Sequence, residues 1–301
     1  MAEPRANQRT LFRVATVVTL LAVMMGSLVC ATESGMACPT WPGCYKGQLV
    51  PGLHLPPWIE FSHRLVSGAC LIVLIMCGIS VWRSHRGDPW VRWLPWVAVV
   101  GAIAAAVFGM SIIFWGISAP LGALDLLCSL VALIAITTAT VALERGGLRW
   151  RWRPPTIAGS ATVVVLLAMH AAGILVAGPG SFTRCIGWPL WSLLSYDAHT
   201  GGQITRWVLA GLAFAGMAVL ALTATGRAKT LALAAAGGLV IEAGLAVLIL
   251  TSGLNNVVSA SYSLIAVLIV WLVTLATVLA AGSRPEQTTQ VADESVDDAV
   301  A

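Results

Sequence analysis

Between residues 34 and 68 the chain reads SGMACPTWPGCYKGQLVPGLHLPPWIEFSHRLVSG, and the side chains most able to do chemistry lie there or can be set against it. Cys38 and Cys44 stand six residues apart with Pro39, Pro42 and Gly43 between them. On an oxidising face such a pair either closes a short loop as a disulfide staple or exchanges electrons with an external thiol protein. Glu60 precedes His63 by three residues, so on a helix the acid and the imidazole share a face, with Arg64 beside them. A positioned carboxylate can take or deliver a proton. An imidazole in an apolar helix can ligate a metal or a heme iron, or hydrogen-bond to a neighbouring helix. His170, inside a later apolar run, has the same two readings. Asp125 and Glu242 sit at depths where a carboxyl must be protonated, paired or facing a wet cavity. Arg64 and Arg206 can snorkel to lipid phosphates or pair with the propionates of a bound porphyrin. His54 and His199 fall in loops, and His85 in a basic loop. Cys30, Cys70, Cys77 and Cys128 read as small packing residues, and Cys185 has no evident mate in its own loop.

The elements that must position these groups are membrane helices. The 301 residues are 58% hydrophobic and 10% charged, where a soluble domain would be about a quarter charged. Eight runs reach the roughly 20 apolar residues that a bilayer core needs: 11–31, 58–82, 93–117, 119–143, 156–177, 203–225, 230–251 and 257–281. Seven spanning runs follow the first, so it reads as a retained helix and not as a cleaved signal. The expected fold is an all-α polytopic bundle of eight transmembrane helices. No basic cluster with interleaved aromatics lies outside the membrane flanks, which excludes nucleic acid as a partner.

Charge sets the expected orientation. With the N-terminus cytoplasmic, inside flanks carry 13 of the 17 basic residues, leaving Lys46, Arg64, Arg184 and Arg206 outside or at outer helix ends. Both termini are then cytoplasmic, and loops 34–57 and 178–202 face outward. The segment 284–301 is acidic and polar and reads as a disordered tail. Residues 1–148 and 149–283 form two four-helix halves that echo each other. Cys38-Pro39-Thr40-Trp41-Pro42 parallels Cys185-Ile186-Gly187-Trp188-Pro189, and Phe61-Ser62-His63-Arg64 parallels Gln203-Ile204-Thr205-Arg206. Both halves start inside, so this is a parallel repeat.

The first-loop motif Gly35-Met36-Ala37-Cys38-Pro39-Thr40-Trp41-Pro42-Gly43-Cys44, the motif Glu60-Phe61-Ser62-His63-Arg64 and the eight-helix pattern together resemble the bacterial heme A synthases of cytochrome oxidase assembly. That resemblance implies an oxidoreductase of the bacterial plasma membrane that converts the C8 methyl of heme O to the formyl of heme A, with heme b as cofactor. The first half would hold the substrate heme and the second the cofactor heme, each with two axial histidines from even-numbered helices. Glu60 would be the catalytic glutamate, His63 the first iron ligand, and Cys38–Cys44 the first-loop disulfide. The remaining ligand positions depart from the pattern: Asp125 stands in helix four, Thr205 in helix six, and Tyr262 with Ser259 and Ser261 in helix eight. Threonine does not replace imidazole as a strong low-spin ligand. Asp125, His170, His199 and Tyr262 are the substitute candidates, with Arg64 and Arg206 as propionate partners.

Two readings follow. One is a diverged heme A synthase, with heme O or another porphyrin as ligand and heme O synthase or a respiratory complex as partner. The other is a non-catalytic heme-binding or structural subunit of a respiratory or oxidase-assembly complex; either could self-associate. Transport ranks below both, because no pair of broken helices occupies corresponding positions in the halves. The orientation makes a direct prediction: in intact cells an impermeant thiol reagent labels Gln48→Cys and leaves Gly87→Cys untouched. Labelling at Gly87→Cys would reverse the topology.

Overall fold

The computed structural model describes residues 6–85, 87–116, 118–176, 200–252 and 255–282, with the backbone alone at 176, 200, 203, 206, 249 and 250. Its helices are α1 (Ala6–Ala31), α2 (Leu55–Trp82), α3 (Pro89–Trp115), α4 (Ala119–Glu144), α5 (Pro154–Val176), α6 (Thr200–Thr223), α7 (Gly226–Ser252) and α8 (Asn256–Ala280). Every expected run coincides with one of them. Several extend beyond the apolar core because polar residues start or cap them. Asp88 accepts from the Trp90 and Val91 amides at 3.0 and 3.4 Å, with Pro89 in the first turn where no amide is needed. Asn255 accepts from the Val258 amide at 2.9 Å to open α8. Gly116, at φ 89°, ends α3 in a conformation that disfavours any side chain and lets α4 return directly.

Among the described residues seven helices are long and apolar enough to cross a bilayer; α6 adds a shorter apolar stretch, Trp207–Thr223. The chain is therefore a multi-pass membrane protein built as a helical bundle. Its outward faces are apolar, with Ile72 and Val100 more than half exposed, as a hydrocarbon solvent allows.

Buried side chains gather in two main clusters. One, around Leu74, Cys77, Val81, Ala98 and Ile136, lies among α1–α4, with Val278 of α8 added. The other, around Leu166, Met169, Met217, Tyr262 and Val270, lies among α5–α8, with Val23 and Leu130 added. The two clusters meet across α1–α8, α4–α5 and α4–α8, with Leu279 packed against both, and a few hydrogen bonds cross there. Ser27 donates to the Ser263 carbonyl at 3.2 Å, Ser259 to that of Ala31 at 3.0 Å, and Arg145 to that of Leu279 at 2.9 Å.

Most buried threonines satisfy themselves. Thr19, Thr138, Thr162 and Thr277 each donate to the carbonyl four residues back at 2.7 Å. Lipid competes for apolar surface as well as another helix does, so close packing and small residues bring such helices together. Gly159 is one such contact: a Cβ there would fall 2.0 Å from Thr277 Oγ1 across the α5–α8 interface. Gly237 of α7 has nothing within 4 Å of the same construction. Gly159→Leu should therefore lower the thermal midpoint in detergent by the equivalent of roughly 1–3 kcal/mol, while Gly237→Leu leaves it unchanged. Equal midpoints for the two variants would contradict the α5–α8 contact.

Candidate functional site

The segment between α1 and α2 forms a compact cap over the first turns of α2. Cys38 and Cys44 are disulfide-bonded, with Cα atoms 4.2 Å apart. Tyr45 and Gln48 exchange backbone hydrogen bonds at 3.2 and 3.0 Å, turning the chain back, and the Cys44 amide reaches the Leu49 carbonyl at 3.3 Å. Phe61 fills the underside, packed with both cysteines and Tyr45 and meeting Trp58 edge-on at 5.9 Å.

Two side chains of α2 tie the cap down. Glu60, 3% exposed, accepts from the Cys38 amide through Oε2 at 2.8 Å, and its Oε1 pairs with Arg64 Nη2. The two residues are four apart, one helical turn. Arg64 also donates to three loop carbonyls: Cys38 at 2.8 Å, Thr40 at 2.6 Å and Gly43 at 3.1 Å. A planar guanidinium suits this fan of acceptors, and a lysine ammonium does not. Buried charge is tolerable here because both partners are paired and otherwise hydrogen-bonded.

His63 turns toward α1. Its ring stands where a Cβ on Gly26 would lie 3.1 Å from Cε1, so glycine at that position makes room for the imidazole. The ring hydrogen-bonds to the Ala22 backbone, and Nδ1 lies 3.4 Å from Ser67 Oγ. Asp125 of α4 lies against Gly109 of α3, 3.9 Å from where its Cβ would be.

The second cluster holds its own ionisable groups. His170, 4% exposed, has Nδ1 2.7 Å from the Leu166 carbonyl; as donor there, it leaves Nε2 as a lone pair, buried and without a partner. Both carboxyl oxygens of Glu242, 1% exposed, are likewise buried without partners. Tyr262 is fully buried in the same cluster. Thr205 is exposed and bonds back to the Gly201 carbonyl at 2.9 Å, turned away from any interior ligand. Ser259 reaches the Ala31 carbonyl, and Ser261 that of Val257. His199, Cys185, loop 178–199 and the segment 284–301 lie outside the described residues, as does the side chain of Arg206. Among the described residues no group of three or more His, Cys, Asp and Glu side chains could hold a bare metal ion.

The donor set fits a porphyrin iron in part. Among the described residues His63 and His170 are the imidazoles inside membrane helices, and the orphaned Nε2 of His170 is an atom that an axial iron bond would satisfy. The packing reading of Cys30 needs correction, since Cys30 is disulfide-bonded. Cys70 and Cys77 are free and buried, in line with a packing role. Sequence spacing did not single out Gly26, whose only signal is a small residue on the helix facing His63.

The fold and site define a class: a multi-pass helical membrane protein whose disulfide-closed loop is held over one helix by a buried acid–arginine pair. No protein-family profile matches the chain. It is similar to the heme A synthases of Exiguobacterium sibiricum (26% identical over 209 residues, 66% of this chain and 69% of the relative) and Lysinibacillus sphaericus (32% over 188 residues, 58% and 59%). That of Geobacillus kaustophilus is 29% identical over 228 residues, 71% of this chain and 69% of the relative. Across these three the match spans 59 to 69% of the relative's length. The chain is thus a multi-pass membrane protein similar in sequence to heme A synthases.

The cap yields a paired prediction. Arg64→Ala leaves Glu60 buried and unpaired and should cost about 3–5 kcal/mol, with Arg64→Lys failing to restore it. Arg13→Ala breaks a 2.5 Å pair with Glu144 whose side chains are 65% and 33% exposed, and should cost less than about 1 kcal/mol. Thermal midpoints in detergent decide, and a harmless Arg64→Ala would refute the clamp.

Proposed function

We propose that this chain acts in a bacterial plasma membrane on the C8 methyl of heme O, as a heme A synthase does, with heme b as its helper group. The observation that carries this reading is the disulfide-closed loop held over α2 by Glu60 and Arg64, with His63 one turn below. It coincides with the motifs on which the resemblance rests. The porphyrin supplies the oxidative chemistry when bound. This chain's own residues do the positioning. His63 offers its imidazole from the helix under the cap, braced by Gly26 and the Ala22 backbone. Glu60 holds the Cys38 amide and the Arg64 guanidinium, so it sets the height of the cap and balances charge there. In the second half His170 is the imidazole positioned for a ligand, and the Glu242 carboxyl is buried without a partner on α7. The substrate porphyrin enters from lipid, and heme O synthase or a respiratory complex supplies or receives it.

One observation favours the alternative of a non-catalytic heme-binding subunit. Both oxygens of Glu60 are engaged by the cap, which removes it as a free proton acceptor.

The deciding experiment expresses the full chain with heme O supplied and measures the heme-to-protein ratio, the optical spectrum and heme A formation. Bound heme that is lost in His63→Ala, with heme A formed by the unmodified chain, supports the enzyme. Heme lost in His63→Ala without heme A in either selects the non-catalytic binder. Two hemes with bis-imidazole spectra that survive both His63→Ala and His170→Ala would overturn the ligand assignment.

A further inference from the structure

At the arginine-rich end of the bundle, α1, α2 and α3 leave a groove of about 720 Å³, far along α2 from the cap. Three tryptophans build its walls. Trp82 of α2 meets Trp93 and Trp96 of α3 edge-on, with ring centres 5.0 and 6.1 Å apart. The polar floor is set by Gln8 of α1, which donates to the Ser80 carbonyl at 2.8 Å and reaches Ser84 Oγ at 3.4 Å.

Among the described residues the charged side chain that lines this groove is basic. Arg83 lines it and is exposed. The Arg92 guanidinium lies 4.3 Å from the centre of the Trp82 ring and 5.5 Å from that of Trp93, so the aromatic wall holds a cation. Among the described residues no carboxylate lines the groove. The nearby acid, Asp88, is spent capping α3. Two donors close to this wall, Trp96 Nε1 and Arg92 Nε, are buried without a hydrogen-bond partner. One side of the groove runs into the lipid-facing surface through Ile79 and Trp93, 64% and 53% exposed.

An anion with an apolar tail fits these features together. Tryptophan and arginine are the residues that favour the headgroup level of a bilayer. The edge-on tryptophans leave no pair of parallel planes to sandwich a nucleotide base. We propose that this groove is a binding site for the phosphodiester headgroup of an anionic glycerophospholipid, its acyl chains lying along Ile79 and Trp93. The site is independent of the porphyrin chemistry and would serve to fix the angle between α2 and α3 at the end opposite the cap.

The test uses the full chain in nanodiscs of mixed phosphatidylglycerol and phosphatidylcholine, released and weighed by native mass spectrometry. Phosphatidylglycerol should be retained selectively, and Arg83→Ala should weaken its retention about fivefold, the effect of one arginine near an anionic surface. Arg83 is exposed, so this variant keeps its thermal midpoint; Trp93→Leu, also exposed, should weaken retention by removing the aromatic wall. Inorganic phosphate should not displace the lipid. Displacement by phosphate would make the groove a soluble-anion site and overturn the proposal. So would equal retention of phosphatidylcholine, or retention unchanged in both variants.

Discussion

Hydrocarbon offers a polypeptide no hydrogen bonds, and the architecture of this protein answers that constraint before any other. Backbone groups are satisfied within helices, which are the open-chain solution to life in a bilayer. Side-chain hydroxyls follow the same logic by bonding to their own helix. The Glu60–Arg64 pair is buried in the first turns of α2, with a set of loop carbonyls around it to complete its coordination. The cap exists because irregular backbone at that level needs donors, and Arg64 supplies them.

The two clusters of buried side chains meet this constraint differently. In the first, the ionisable groups nearest the cap have partners: Glu60, Arg64 and His63 each bond to backbone. In the second, the His170 Nε2 lone pair and the Glu242 carboxyl have none among the described residues. An unpaired buried polar group costs about 1–3 kcal/mol, a cost that a bound ligand could offset. Around the cap the ionisable groups are bound by the chain itself, whereas in the second cluster the His170 nitrogen and the Glu242 carboxyl stand without such partners. This contrast makes a porphyrin-binding reading physically coherent even though the axial histidine pattern is incomplete.

The helices were legible because bilayer thickness imposes a run length that composition displays directly. Residues such as Asn7 and Gln8, which extend α1 past its apolar run, were not, since polar residues at a helix start carry no hydropathy signal. The Cys38–Cys44 closure could be read as one of two options from spacing and proline content. The role of Arg64 could not. An arginine at a helix mouth suggests a propionate or lipid phosphate, and only the folded loop shows that its donors are directed at Cys38, Thr40 and Gly43. Gly26 stayed hidden for a similar reason: it lies 37 positions before His63, and space for a ring is a property of two helices. Thr205 illustrates the reverse case, where alignment with His63 suggested a ligand position and the hydroxyl is instead spent on Gly201.

The threonines that bond to their own helices have a mechanical consequence. The hydroxyls of Thr138, Thr162 and Thr277 are satisfied inside their own helices and add no polar bond that a shift between helices would break, whereas Thr16 and Thr140 bond across α1 and α4 at 2.8 Å. Among the described residues a few hydrogen bonds, such as Ser27 to Ser263 and Ser259 to Ala31, cross between the two clusters. Elsewhere the helices meet by packing, interlocked where Gly159 receives Thr277. Parting two such helices costs packing and few hydrogen bonds, and each helix keeps its own polar groups satisfied as it moves.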